Sequence, residues 1–271
     1  MTVLPSWTAG DSGVDPLNSW QATKLLVERN YITYRTEWKL FLTGFLEPVF
    51  YLLSIGIGVG QLIEAFEFNG QAVPYAEFVA PGMLAASAFN GALLDSTFNV
   101  FFKLRYDKLY DQMLATPLRT GDVARGEIAW GQLRGGSYSA MFLVVMVALG
   151  MVHSWWALLA FPAALLIGFA TSAVCMALTT FMKSWQDFDK VTLVQLPLFL
   201  FSATFFPITV FDEWLRWVVE VTPLYRGVVL CRELTTGAVT WDSAVSVGYL
   251  VAMGLLGVLV VRSRLEKLLL T

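Results

Sequence analysis

Three ionisable side chains interrupt long apolar runs and are the clearest candidates for chemistry in this chain of 271 residues. Glu47, Asp95 and Arg134 stand in separate runs, and each would cost at least about 2.5 to 3.5 kcal/mol at mid-membrane unless it were paired or hydrated. At a helical rise of about 1.5 Å per residue, all three lie about 10 to 14 Å from the same side of a membrane. We expect a buried ion pair between Arg134 and either carboxylate. The alternative is the lining of a polar substrate path or a proton relay.

A second candidate is the charged segment at residues 103–126. The chain has 18 Lys and Arg and 21 Asp and Glu residues, and eight of these charged residues fall within these 24 positions. The segment lies between two long apolar runs. We interpret it as a charged amphipathic helix followed by a turn, which would suit a membrane protein that a soluble partner must grip. The simpler alternative is that the charges only keep a loop in water.

Motifs for catalysis or nucleotide binding are weak. The phosphate-loop pattern G-x-x-x-x-G-K-[ST] does not occur in the sequence, so an ATPase that drove this chain would be a separate polypeptide. Asp187 and Asp189 match the two-carboxylate pattern with which some transferases hold a divalent ion, but Lys183 and Lys190 nearby favour a solvated charged loop. His153 is interpreted as a surface residue. We therefore expect no catalytic residue, metal or cofactor on this chain.

Composition predicts the class of protein. Apolar residues make up 56% and charged residues 14%, against roughly 25% charged in soluble domains, and the mean hydropathy is +0.62. A membrane span needs about 20 mostly apolar residues. The sequence therefore predicts an all-α membrane protein that forms one domain over residues 1–271, with six spans at about 38–63, 78–102, 127–150, 155–182, 191–211 and 243–261.

The distribution of Lys and Arg predicts the orientation. Fourteen of them fall in the N-terminal segment, in the segments after the second and fourth spans, and in the tail. The segments on the opposite side hold only Arg216, Arg226 and Arg232. By the positive-inside rule both termini are cytoplasmic, and we expect a multi-pass protein of the bacterial inner membrane.

Two segments outside the spans have patterns of their own. Trp20, Lys24, Val27, Tyr31 and Tyr34 recur at helical spacing, so we predict an interfacial helix at 15–37 on the cytoplasmic leaflet, with a helix docked on protein as the alternative. Residues 205–236 are too apolar for an ordinary loop. We predict two short re-entrant outer helices there, broken at prolines.

Several stretches, taken together, resemble type-2 ABC exporter permeases, and within them the nodulation protein J and drug-resistance groups. The likeness spans nearly the whole chain and rests on LYDQMLATPLRTGDVARGE (109–127), EPVFYLLSIGIGVG (47–60), YAEFVAPGML (75–84) and FLFSATFFPITVFDEWLRWVVEVTPLYRGVVL (199–230). One departure is Phe211-Asp212, where the family often has Leu-Pro.

The resemblance implies a complex of two permeases, identical or homologous, with two copies of a separate ABC ATPase subunit that binds ATP and Mg. It places a coupling helix at about 103–119, inserted into the ATPase. Its polar rim would be Lys103, Arg105, Asp107, Lys108, Asp111 and Arg119, and its apolar anchors Leu109, Tyr110, Met113 and Leu114.

By the same analogy, a path for an amphipathic substrate lies between protomers, along the first, second and fifth spans. A lipid-linked oligosaccharide, a glycolipid and a hydrophobic drug all fit such a path, whereas nucleic acid is not expected as a partner. An ion-coupled transporter and, less favoured, a membrane-embedded glycosyl transferase are the alternatives. Candidate path residues are Phe45, Tyr51, Phe89, Asn90, Phe98, Phe201 and Phe205.

Overall fold

The computed structural model describes residues 18–36, 38–62, 66–68, 71–152 and 154–270. His153 and parts of the predicted interfacial helix, residues 15–17 and 37, lie outside these ranges. The described chain is helical apart from one antiparallel hairpin, β1 (Phe66–Phe68) with β2 (Gln71–Val73). The helices are α1 (Ser19–Arg35), α2 (Trp38–Tyr51), α3 (Tyr75–Leu94), α4 (Val100–Arg105), α5 (Leu109–Leu114), α6 (Thr120–Ala148), α7 (Ala160–Thr179), α8 (Asp187–Leu200), α9 (Glu213–Glu220), α10 (Pro223–Thr236) and α11 (Trp241–Leu269).

Three helices of the described chain are long and apolar enough to cross a membrane. The first, Tyr75–Arg105, joins α3 to α4 through a π-helical stretch at Asp95–Asn99. The other two are Trp155–Thr179, which begins with a 3-10 turn, and Trp241–Leu269. A shorter apolar helix covers Gly44–Val59.

The predicted fifth span at 191–211 differs from the structure. Its helix, α8, begins at Asp187 and ends at Leu200, and the chain then turns at Ala203, whose φ is +55°. The left-handed conformation of Ala203 interrupts any continuous helix, and Pro207 cannot donate the backbone hydrogen bond that a helix needs. A short 3-10 helix follows at Ile208–Val210.

The core lies around α3, which packs against α6, α7 and α10, while α7 also packs on α11. Close approach of α3 and α6 depends on Gly135, because a Cβ built there would come within 2.6 Å of the carbonyl oxygen of Ala88. The small residue therefore sets the distance between these two helices.

The outer segment forms two helices. Pro223 is the first residue of α10, a position that suits proline, and α10 is largely buried, whereas Trp214 and Trp217 of α9 are exposed. The guanidinium of Arg232 is buried and donates to the carbonyl oxygens of Ala203, at 2.9 Å, and Phe78, at 3.3 Å. Arg232 thus ties α10 to the turn after α8 and to α3.

Candidate functional site

The charged segment is not one helix, which corrects the prediction of a continuous coupling helix at 103–119. Helix α4 ends at Arg105, and the six-residue helix α5 forms only after Lys108, whose φ is +46°. A residue in that left-handed conformation cannot continue a right-handed helix. The segment is therefore a helix end, a bend, one short helix and a turn into α6 at Thr120.

Lys103 is buried, so its predicted place on the exposed rim is wrong. Its Nζ lies 2.7 Å from Oε2 of Glu127 and 3.1 Å from Oδ1 of Asn30, and the Asn30 amide donates to the same Glu127 oxygen at 3.4 Å. The physical reason is that a charged amine inside protein needs a carboxylate partner. These three residues join α1, α4 and α6.

Tyr110 and Met113 are also buried, at 0% and 7% exposure, and are not available as surface anchors. Both pack in a cluster with Leu26 of α1 and with Val123 and Ile128 of α6. Burial raises the pKa of the Tyr110 phenol well above its usual value, and the nearby Glu127 carboxylate raises it further. The phenol therefore stays neutral. The inner face of α5 is thus part of the protein's own core.

The outer face of the same segment is exposed. Arg105, Asp107, Lys108, Asp111 and Arg119 are exposed, and Leu109 and Leu114 are half-buried. The Arg105 guanidinium donates to the carbonyl oxygen of Met182 at 3.0 Å, which leaves the others as the polar surface. Tyr106, 61% exposed at the bend, was missed in the sequence, although an aromatic residue between charged ones is typical of an interface anchor.

Helix α1 packs along α6 beside this surface. The Arg125 guanidinium donates to Oγ of Ser19 at 3.1 Å, and farther along both helices the ring of Tyr34 stacks on that of Trp130 at 5.5 Å. Gly126 lies between these contacts, where a Cβ would come within 2.6 Å of Leu26. Asn30 and Glu127 were not predicted as site residues. A carboxylate at the first position of an apolar run was the available signal for Glu127.

Arg134 and Asp95 lie together. The Nη1 atom of Arg134 is 2.8 Å from Oδ1 of Asp95, which also accepts a hydrogen bond from the Asn99 amide. The Arg134 guanidinium also lies over the rings of Tyr34 and Tyr138, 5.4 and 5.9 Å from their centroids. This ion pair falls at the π-helical stretch that begins at Asp95, and such stretches are frequent at functional sites.

Glu47 is not brought into this pair. Its side chain is exposed and lines a separate surface pocket with Phe50 and Tyr51. The pair is therefore formed by the second and third predicted spans. Within the described residues, Glu47 of the first predicted span makes no hydrogen bond or ion pair with either member.

The candidate path residues do not share one surface. Phe205 is buried and Phe45 packs on the same core, which corrects their placement on an open path. Phe89 is also buried, but it lines a cavity beside α8. These aromatic rings pack into the protein core because neighbouring side chains there fill the space around them more completely than a membrane-facing surface would. Tyr51 and Phe201 are exposed.

The other two path candidates contact the α8 region. The Asn90 amide oxygen accepts from Gln195 at 3.1 Å, and Phe98 stacks on Phe188 at 4.1 Å. A mostly apolar cavity of about 380 Å³ lies between α3, α7 and α8, with Phe89 and Gln195 in its wall and Asp187 and Lys190 also lining it.

Asp187 and Asp189 do not form a paired carboxylate site. Both oxygens of Asp187 are engaged: Oδ1 accepts from Nζ of Lys190 at 2.6 Å, and Oδ2 from the backbone N–H groups of Lys183, at 2.8 Å, and Ser184, at 3.1 Å. The hydrogen bond from Lys190, followed by those from the two backbone groups, lowers the pKa of Asp187 below its usual value. Asp187 thus closes the turn that starts α8.

Comparison with known proteins gives a consistent result. A family model described as "ABC-2 type transporter" matches residues 21–235. Curated relatives include nodulation protein J from Rhizobium leguminosarum bv. trifolii, 31% identical over 88% of this chain and 92% of that protein, and from R. leguminosarum bv. viciae, 28% identical over 88% and 93%. Nodulation protein J from Rhizobium meliloti (strain 1021) is 26% identical over 82% and 84%.

The family match covers two of the three long apolar helices, Tyr75–Arg105 and Trp155–Thr179, and the charged segment between them. These findings identify an integral membrane protein and a transport component that is not itself catalytic. The chain belongs to the ABC-2 type transporter family, as a permease subunit.

Proposed function

We propose that this permease exports an amphipathic molecule, driven by two copies of a separate ABC ATPase subunit that docks on the charged segment. The observation that carries the proposal is that one face of this segment is buried and the other is exposed. Its inner face is locked by the Lys103–Glu127 ion pair and by the buried ring of Tyr110. Its outer face presents Tyr106 and exposed charges. A rigid base under a polar rim with an aromatic anchor is what a docked partner needs in order to transmit movement.

In the proposed topology all six apolar runs cross the bacterial inner membrane and both termini are cytoplasmic. The distribution of Lys and Arg supports this orientation. A second copy or a homologous permease completes the path, against the exposed face of α8 and the exposed ring of Tyr51. ATP-driven closure of the ATPase pair would then move the two charged segments together and open the path.

An amphipathic substrate, such as a lipid-linked oligosaccharide, a glycolipid or a hydrophobic drug, is supported by the cavity beside α8. Its lining is mostly apolar and includes the ion pair of Asp187 and Lys190. The transferase alternative is weakened because both Asp187 oxygens already accept hydrogen bonds.

The experiment is co-purification of the permease with a co-expressed candidate ABC ATPase subunit, using Asp111→Lys as the variant and Asp189→Lys as its matched control. Both residues are exposed, and each is the third residue of its helix, α5 and α8. Placing a lysine near the helix N-terminus should therefore cost a similar free energy in both variants. We expect Asp111→Lys to reduce capture about ten-fold or more and Asp189→Lys to leave it unchanged. A second variant, Tyr106→Asp, should act like Asp111→Lys.

Equal capture of all three variants and the wild type would contradict docking on this segment. Substrate class is tested separately, by stimulation of ATPase activity in the reconstituted complex across lipid-linked glycans, glycolipids and amphipathic drugs. Stimulation by none of these classes would contradict export of an amphipathic molecule.

A further inference from the structure

We infer that the groove between α1 and α6 binds the phosphate headgroup of an anionic phospholipid from the surrounding membrane. The groove has a volume of about 810 Å³, within the usual range of sites for small ligands. Its floor includes Trp130, which is 6% exposed, and the half-buried ring of Tyr34 stacked on it. The inference rests on the proposed topology, in which this groove faces the cytoplasmic leaflet.

Charge in the groove favours an anion. Lys24, Arg35 and Arg134 line it, against one carboxylate, Glu28. Arg134 is paired with Asp95, whereas Lys24 and Arg35 are exposed and make no ion pair within the described part of the chain. Two cations without an ion-pair partner therefore flank an aromatic floor, and with the single Glu28 carboxylate the groove keeps a net positive charge. Basic pockets at the cytoplasmic ends of membrane helices are typical sites for anionic headgroups.

The groove continues into an apolar track along α6. Leu133, Met141 and Val144 are 48%, 40% and 67% exposed, and with Ser137 they recur at intervals of four, four and three residues, which places them on one helix face. The Ser137 hydroxyl donates to the carbonyl oxygen of Leu133 at 2.7 Å, so the track presents no unsatisfied hydroxyl.

The length of this track fits one leaflet. From Leu133 to Val144 it runs about 16 Å at 1.5 Å per residue, about half of the roughly 30 Å hydrocarbon core. A cationic pocket joined to an apolar track of this length matches a headgroup with an acyl chain. A free anion or a soluble peptide would leave the track uncovered.

The test measures phospholipid retention by the purified chain in neutral detergent, by native mass spectrometry, while phosphatidylglycerol or phosphatidylcholine is titrated. We expect phosphatidylglycerol to bind about ten-fold or more tightly than phosphatidylcholine. The double variant Lys24→Gln/Arg35→Gln should weaken phosphatidylglycerol binding about 30-fold, at about 1 kcal/mol per cation near an anionic surface. Glu28→Gln, in the same groove, should strengthen it.

The matched control is Lys183→Gln/Arg262→Gln, which removes the same charge from exposed positions outside the groove and should leave binding unchanged. Lys24→Arg/Arg35→Lys should retain binding, which separates loss of charge from misfolding. Equal binding of the two lipids, or equal loss in the control, would overturn the inference. Competition by inorganic phosphate at the same concentration as the lipid would show a free-anion site and overturn it too. The readout needs neither ATPase nor transport, so its failure leaves the proposed export function standing.

Discussion

Nζ of Lys103 and Oε2 of Glu127 lie 2.7 Å apart, in an ion pair whose side chains are 9% and 0% exposed. The pair closes the charged segment at its base, because Lys103 is near the end of α4 and Glu127 is in the first turns of α6. Since Asn30 bonds both side chains, the same pair also holds α1. A movement imposed on the segment would therefore reach α1 and the long helices together.

Loss of one partner in this pair should be costly. We expect Lys103→Met to destabilise the protein by about 3 to 5 kcal/mol, because it leaves the Glu127 carboxylate buried without a cation. Thermal unfolding in detergent measures it. The double variant Lys103→Met/Glu127→Leu should recover most of the loss, whereas Lys190→Met, which breaks an ion pair whose lysine is 78% exposed, should cost no more than about 1 kcal/mol. If the double variant recovers no stability, the unpaired Glu127 carboxylate is not the source of the loss.

The pair of Arg134 and Asp95 should behave similarly inside the membrane. Arg134→Met leaves Asp95 without its cation, so we expect reduced yield of folded protein, measured by size-exclusion chromatography. Asp95→Asn should act less severely, because the Arg134 guanidinium that it leaves without a carboxylate is 12% exposed, against 1% for Asp95, and still lies over the rings of Tyr34 and Tyr138. Wild-type yield and transport in Arg134→Met would remove the structural role. Wild-type yield with lost transport would instead favour a role in the substrate path.

Close packing of α1 on α6 predicts a specific rescue. Gly126→Ala places a Cβ against Leu26 and should destabilise the protein by about 1 to 3 kcal/mol through overpacking. Combining it with Leu26→Ala should relieve the clash, so the double variant should lose less than the two single losses added together. Gly248→Ala in α11 is the control, since nothing lies within 4 Å of a Cβ there. Additive losses would show that the two sites are not in contact.

The lowered pKa of Asp187 predicts a pH dependence. A carboxyl group whose folded pKa lies below its unfolded value, about 3.9, stabilises the fold above that value and loses this contribution as the pH falls through the folded pKa. Asp187→Asn should therefore unfold at a lower temperature than the wild type at pH 7. The difference should shrink as the pH falls below about 4. A difference that stays constant across this range would contradict the hydrogen bonds to Lys190, Lys183 and Ser184 as its source.

The sequence by itself determined the class and family of this protein. An apolar composition with charges confined to short segments excludes a soluble domain, and ordered motifs from Glu47 to Leu230 identify the permease family. The similar depths of the three residues in the membrane also predicted that Arg134 could meet Asp95 or Glu47. These conclusions depend on composition and local spacing, which can be read along the chain.

Only the tertiary structure decided which side of each helix is covered. It buries Lys103, Tyr110 and Met113, joins Arg134 to Asp95, and leaves Glu47 exposed. Local spacing shows that charged and apolar residues alternate around a helix, but not which neighbour packs against it. The partners here are distant in sequence: Glu127 is 24 residues from Lys103, and Asn30 is 73. Burial of an amine depends on that distant carboxylate, so its position could not follow from the segment alone.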